Sequence, residues 1–239
     1  MASQKSLDSL YNYIQAKRSS GHSYLGYPVY DTTKNDLKKL GQISDKYGFP
    51  VEWLANLINH ESAGTWNPAI QNSIGATGLI QFLPSTAQNY GVTPSQLSQM
   101  NFSQQLDYVD KYLSRNLKKV LDEKGKVSNS FNQTDLFMTI FYPIAVGNPN
   151  YPFPSYVQSA NGGIRTPQEY TIKALRNPPF PLENYPSSYK EFLQRFGDIS
   201  GEGFLNPNHK WWVLPTIIVT FGVLTTMIVY IYKKRKNGQ

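Results

Sequence analysis

Between residues 30 and 200, apolar side chains recur three and four positions apart, and Gly and Pro cut each run short. A helix turns once in about 3.6 residues, so this spacing gathers the apolar groups of a run on one stripe, whereas a strand needs alternation at period two. No convincing period-two run occurs, so this part of the chain reads as short amphipathic helices packed stripe to stripe, a mainly α class. Leu37, Leu40 and Ile43 mark one helix, with Asp31 and Thr32 as cap candidates, and a second runs roughly over residues 50–62. A third opens at Pro84, and a longer one carries Phe102, Leu106, Val109, Leu113 and Val120. Residues 134–145 are the apolar candidate for the centre of the domain. Thr166, Pro167 and Glu169 read as a capping box with Pro at the first helical position, which puts Tyr170 in the first turn. Nine prolines within residues 143–186 leave room only for loops around that short helix.

The C-terminal part has a different composition. Residues 211–232 hold no charge over 22 positions, enough at about 1.5 Å per residue to cross a hydrocarbon core of roughly 30 Å. Trp211 and Trp212 open this run and Tyr230 and Tyr232 stand at its end, followed by Lys233, Lys234, Arg235 and Lys236. Aromatic ends and a basic flank are the marks of a membrane span whose tail stays on the cytoplasmic or interior side. The expectation is therefore a single-pass membrane protein, of a virion or of a bacterial envelope, with the lipid bilayer as a partner of residues 211–232. The sequence divides into an N-terminal arm (1–30), a globular domain (31–196), a tether (197–210), the span (211–232) and a basic tail (233–239). The tyrosine-rich arm reads either as a packing element or as a docking segment for virion or envelope proteins. No apolar signal-peptide core is visible at the N-terminus.

Charge and residue usage exclude several classes. The formal charge is +7, but residues 201–239 hold five Lys or Arg against one acid, leaving +3 on the first 200 residues. That surface tolerates an anionic polymer without marking a nucleic-acid site, and no nucleic-acid partner is expected. With no cysteine, thiolate chemistry and Cys-based metal sites are absent. The three histidines, His22, His60 and His209, have no metal-ligand spacing, so neither metal nor other cofactor is expected.

Val51, Leu54, Ala55 and Ile58 form one helical stripe, and Glu61 continues it at the last turn. Desolvation and the negative end of the helix dipole both disfavour the anion at such a place, so the carboxyl is suited to act as an acid near neutral pH. On spacing alone, Glu61 as a solvated residue at a helix end, or as a carboxylate paired with a lysine, reads equally well.

The text around it is more specific. HESAGTWNPAIQNSIGATGLIQFLPSTAQNYGV, residues 60–92, resembles the signature of the soluble lytic transglycosylases, a family of lysozyme-like enzymes. In that family a Glu-Ser pair ends a helix, and a Gly-Leu-Met-Gln segment and a Pro-x-Thr-Ala turn border the substrate cleft. The corresponding residues here are Glu61 and Ser62, then Gly75, Ala76, Gly78, Leu79, Ile80 and Gln81, then Pro84, Thr86 and Ala87. The resemblance covers roughly residues 40–180 and implies a lysozyme-like transglycosylase domain; the one C-terminal transmembrane helix expected after it rests on the composition of residues 211–232 alone. It implies Glu61 as the single acid/base, Ser62 orienting it, and Gly78 and Gln81 at the substrate. The family's Ala-Tyr-Asn-Ala-Gly motif falls at residues 140–147, where Tyr142 matches the tyrosine that contacts the catalytic carboxyl and Pro143 replaces the asparagine. This Phe-Tyr-Pro version resembles phage-encoded, virion-associated muralytic proteins. Tyr170 resembles the aromatic residue of the last motif and reads equally as core packing. The implied substrate is the peptidoglycan glycan strand, cut at the MurNAc-GlcNAc bond with a 1,6-anhydro-MurNAc end, for wall opening during phage entry. Lysozyme-type hydrolysis on the same scaffold, or a catalytically silent glycan-binding or structural virion protein, are the alternatives.

Overall fold

The computed structural model describes residues 2–175 and 178–180. Helix α1 spans Gln4–Ser19 and is capped by Ser3, whose hydroxyl accepts from the Ser6 N–H at 3.0 Å. A short hairpin of β1 (Ser23–Tyr24) and β2 (Tyr27–Pro28) follows, paired antiparallel. Helix α2 (Lys34–Tyr47) opens on a reciprocal box between Thr33 and Asp36 and closes at Gly48, whose φ of 81° is the left-handed stop that glycine adopts without a Cβ penalty. Helix α3 is Val51–Glu61. Beyond it lie α4 (Pro84–Gln88), α5 (Pro94–Ser98), α6 (Phe102–Asn116) and α7 (Gln133–Phe141), then a 3-10 turn (Pro143–Ala145), α8 (Ser155–Ala160) and α9 (Pro167–Ala174).

Local chemistry moves several boundaries from the expected places. The cap of α2 is Thr33, because Asp36 three residues on returns the bond; Asp31 instead pairs with Arg18 at 3.2 Å. Helix α6 ends before Val120, at the Leu117 cap. The apolar run 134–145 breaks at Tyr142, which takes φ −150° and ψ 77° ahead of Pro143. A residue before proline is driven out of the helical region, and proline has no N–H to continue the ladder. The box at Thr166 is half formed. Its hydroxyl accepts from the Glu169 N–H at 3.3 Å, while the Glu169 carboxylate turns to the Arg165 N–H at 2.7 Å and to its guanidinium at 2.9 Å.

Helix α3 is the centre of the domain, in contact with α1, α2, α7 and α9. Leu54, Ala55, Leu57 and Ile58 are fully buried, and Asn56 and Asn59 on other faces are buried as well, so α3 is enclosed nearly all round. The N-terminal segment is part of this packing: Leu10 and Ile14 of α1 are fully buried, and α1 lies against α2 and α3.

The expectation of a C-terminal transmembrane helix is corrected. No helix among the described residues is long and apolar enough to cross a membrane. The longest, α1, has 16 residues and two buried positions, and at about 1.5 Å per residue it falls short of a hydrocarbon core of roughly 30 Å. The stretches assigned to tether, span and basic tail, residues 197–239, lie outside the described residues.

Candidate active site

Glu61 is the last residue of α3 and is 9% exposed. Burial pushes its carboxyl up from 4.5 to about 8, and a hydrogen bond from Tyr170 offsets this only in part. No other acid among the described residues adds to these two influences. The cause is the enclosure of α3: an ionised carboxyl would lose its hydration in a space walled by packed helices, at the helix end where the dipole is negative. The Tyr170 hydroxyl, on α9, is itself held neutral, pushed well above 10 by burial and by the adjacent Glu61. On its other side stands His60, with Nε2 3.2 Å from the Tyr170 oxygen. The His60 ring packs edge-on between Tyr170 and Phe137, at centroid distances of 5.5 and 6.1 Å. Desolvation, with the nearby charge of Lys173 second, pushes its pKa down to about 4, so it is neutral at neutral pH. Phe141 stacks on Tyr170 at 3.9 Å and fixes the plane of that ring.

The segment after Glu61, residues 62–83, is a strained turn system. Ala63, Trp66 and Gln81 take φ of 50°, 56° and 51°, a region that side-chain-bearing residues rarely enter. Three sets of bonds hold Ala63 and Trp66 there. The Ser62 hydroxyl donates to the Ile58 carbonyl at 2.7 Å and accepts from the Trp66 N–H at 3.0 Å. Asn59 Oδ1 accepts from the Trp66 indole at 3.2 Å and from the Tyr13 hydroxyl at 3.4 Å. From the N-terminal segment, His22 Nε2 stands 3.0 Å from the Ala63 carbonyl and the Tyr30 N–H donates to Thr65 at 2.8 Å. The first thirty residues thus buttress the loop that follows Glu61.

Gly78 has φ +89°, and a Cβ there would lie 2.2 Å from Gln105 Oε1. That approach lets the fully buried Gln105 accept from the Leu79 N–H at 2.6 Å while its amide donates to Pro68 and Leu97 carbonyls at 2.9 and 3.0 Å. The Gln81 amide donates to the Gly78 carbonyl at 3.0 Å, so this side chain also braces its own loop.

Of the residues singled out in the sequence, Glu61 and Tyr170 meet directly. Ser62 ties the turn rather than the carboxyl, and Gly78 and Gln81 shape the loop. Tyr142 lies among Tyr151, Tyr156 and Phe153, 5.8 Å from the Tyr151 ring and 5.3 Å from Phe153, with its hydroxyl pushed up by burial, and Glu61 is not among the groups that act on it. Sequence reasoning missed His60 and Tyr112. His60 has no metal-ligand spacing, and its place beside Glu61 in the chain is the signal. Tyr112, on α6, is close enough for the Glu61 charge to raise its hydroxyl further after burial, and it donates to the Thr139 carbonyl at 3.1 Å. Its signal was its place three residues after Val109 on the apolar stripe. No group of three His, Asp or Glu among the described residues stands where it could hold a metal ion. What the site offers is one proton-holding carboxyl with a neutral hydroxyl partner.

Residues 39–137 match the family model described as the Transglycosylase SLT domain. The matched stretch contains Glu61, Ser62, Gly78, Gln81 and Tyr112, while Tyr142 and Tyr170 lie beyond it. No curated protein and no solved structure matches the chain.

Proposed function

We propose that the chain, whose residues 39–137 match the transglycosylase SLT family model, is a lytic transglycosylase of peptidoglycan that cuts the MurNAc-GlcNAc bond with Glu61 as sole acid/base. The observation that carries this reading is a buried carboxyl with a pKa of about 8 and, among the described residues, no second acid bearing on it. Direct displacement by water in glycosidases ordinarily uses two carboxyls, one to protonate the leaving oxygen and one to attack or to activate water. A single acid suffices when the attacking group comes from the sugar. Glu61 gives its proton to the bridging oxygen, the C1–O bond breaks, and the 2-acetamido group of the same sugar stabilises the cationic C1. The Glu61 carboxylate then takes the proton of the 6-hydroxyl as O6 bonds to C1, leaving a 1,6-anhydro-MurNAc end and restoring the acid. Tyr170 donates to the carboxylate in the interval when it is charged. Gly78, Gln81 and Tyr142 are assigned to the walls that hold the glycan.

Mass spectrometry of sugars released from purified peptidoglycan by the full chain, beside Glu61→Gln, tests this. Anhydro ends from the native chain alone are expected. Reducing ends would mean that water replaces the 6-hydroxyl, and binding of wall glycan without release would make the domain a silent binder. The Phe141-Tyr142-Pro143 form of the third motif supports a finer reading, a virion-borne enzyme that opens the wall locally during phage entry. Phage particles carrying Glu61→Gln should then enter more slowly, and absence of the chain from purified particles would end that reading.

A further inference from the structure

His60 is not consumed by the mechanism above, yet it sits one hydrogen bond from the residue that touches the acid. Its Nε2 is 3.2 Å from the Tyr170 oxygen, and the Tyr170 hydroxyl is bonded to Glu61, so the three groups form one chain. Two arrangements of protons are open to such a chain. In the first, His60 carries its proton on Nε2 and donates to the Tyr170 oxygen, and Tyr170 donates to Glu61. The acid's own proton is then free to face the glycosidic oxygen. In the second, Tyr170 donates to a bare His60 Nε2, and the vacant lone pair of Tyr170 accepts the proton of Glu61, which is thereby withheld from substrate.

We infer that His60 is a positioning residue which, as the Nε2–H tautomer, fills the acceptor site of Tyr170 and so keeps the Glu61 proton directed at the substrate. The inference rests on Glu61 being the acid. The first arrangement serves both halves of the cycle, because Tyr170 can donate to the carbonyl oxygen of the acid and, more strongly, to the carboxylate. It also needs His60 uncharged, since an imidazolium so close would favour the Glu61 anion. The surroundings meet that need. His60 packs between Phe137 of α7 and Tyr170 of α9, Lys173 of α9 adds positive charge that resists its protonation, and its pKa is held at about 4. On the Glu61 side, the titratable neighbours among the described residues are Tyr170 and Tyr112 of α6, both neutral hydroxyls. Lys173 is itself anchored, donating to the Asn161 carbonyl at 3.1 Å.

The test compares His60→Phe and His60→Gln in the full chain, each also built on Tyr170→Phe, with kcat, KM and the pH profile of glycan cleavage as readouts. His60→Phe keeps a flat ring but donates nothing. It should lower kcat roughly tenfold, the scale of one lost hydrogen bond to a site group, with KM unchanged and the alkaline limb moved upward. His60→Gln, which presents an amide N–H, should restore most of the rate. On Tyr170→Phe, the His60→Phe change should cost nothing further. Unchanged kcat and pH limb in His60→Phe, equal loss in Phe and Gln variants, or additive losses on Tyr170→Phe would each overturn the inference. Failure of the parent reading is seen separately, as cleavage that survives Glu61→Gln.

Discussion

Replacing Glu61 by Gln should make the protein more stable in alkali and leave it unchanged in acid. In the folded state the carboxyl titrates at about 8 against an ordinary 4.5, so between these pH values the folded chain holds a proton that the unfolded chain releases. Stability contributed by this group is complete below pH 4.5 and is lost as pH rises through 8. A shift of that size, at about 1.4 kcal/mol per unit, amounts to about 5 kcal/mol above pH 9, of which about 3 is already lost at pH 7. Glutamine keeps the shape and cannot ionise, so the gain of Glu61→Gln over the native chain should climb from near zero at pH 4 to that plateau. The difference between the two proteins matters, because His60 works in the opposite direction. Its folded pKa of about 4 lies below the ordinary 6.5, so its contribution is complete above pH 6.5 and lost as pH falls toward 4. That background is common to both proteins and cancels. Urea unfolding at half-unit steps from pH 4 to 9 measures the difference directly. A stability gap independent of pH would mean that Glu61 is solvated and ionised, and the acid role derived from its burial would fail with it.

The stripe Val51, Leu54, Ala55 and Ile58 was enough to put Glu61 at the last turn of a helix with one buried face, because helical period and apolar character are local properties, but it left open whether the carboxyl itself is buried. Local capping chemistry was legible for the same reason at Thr166, where the Pro167 that follows starts α9 as expected. The partners of the acid were not legible. Tyr142 and Tyr170 are both tyrosines beyond a central apolar helix, and nothing in their immediate text says which hydroxyl reaches Glu61. The choice is made by the break at Tyr142, which turns that ring toward Tyr151 and Phe153, and by the packing of α9 on α3 and α7. The N-terminal thirty residues were opaque for a related reason. Leu10 and Ile14 are buried only because α2 and α3 are there to receive them, and the bonds from His22 and Tyr30 to the catalytic loop span more than thirty residues of chain. Strain at Ala63, Trp66 and Gln81 has no residue-type signal at all, since each is a residue that ordinarily avoids positive φ.

Three further substitutions probe the supports of the site. Leu10→Ala should lower stability by about 2–5 kcal/mol, measured by denaturant midpoint, if α1 is part of the core rather than a free arm. Gly78→Ala should destabilise by about 2 kcal/mol or more, because it combines positive φ with a clash on the Gln105 amide, and a melting temperature equal to the native one would contradict the geometry. Ser62→Ala should cost about 1–3 kcal/mol by orphaning the buried Trp66 N–H, with the pH limb of activity unmoved, since the hydroxyl holds the turn and not the carboxyl. The last pair decides between the two tyrosines. The Tyr170 hydroxyl favours the Glu61 carboxylate by donating to it, so Tyr170→Phe should move the alkaline limb of cleavage upward from about 8. Turnover should fall at the same time, because the charged intermediate loses its donor while the acid form persists to higher pH. Tyr142→Phe removes a hydroxyl that lies among Tyr151 and Tyr156 and should leave that limb where it is, whatever it does to glycan affinity. A limb that moved in Tyr142→Phe and stayed fixed in Tyr170→Phe would reverse the assignment, and with it the hydrogen-bond chain through His60.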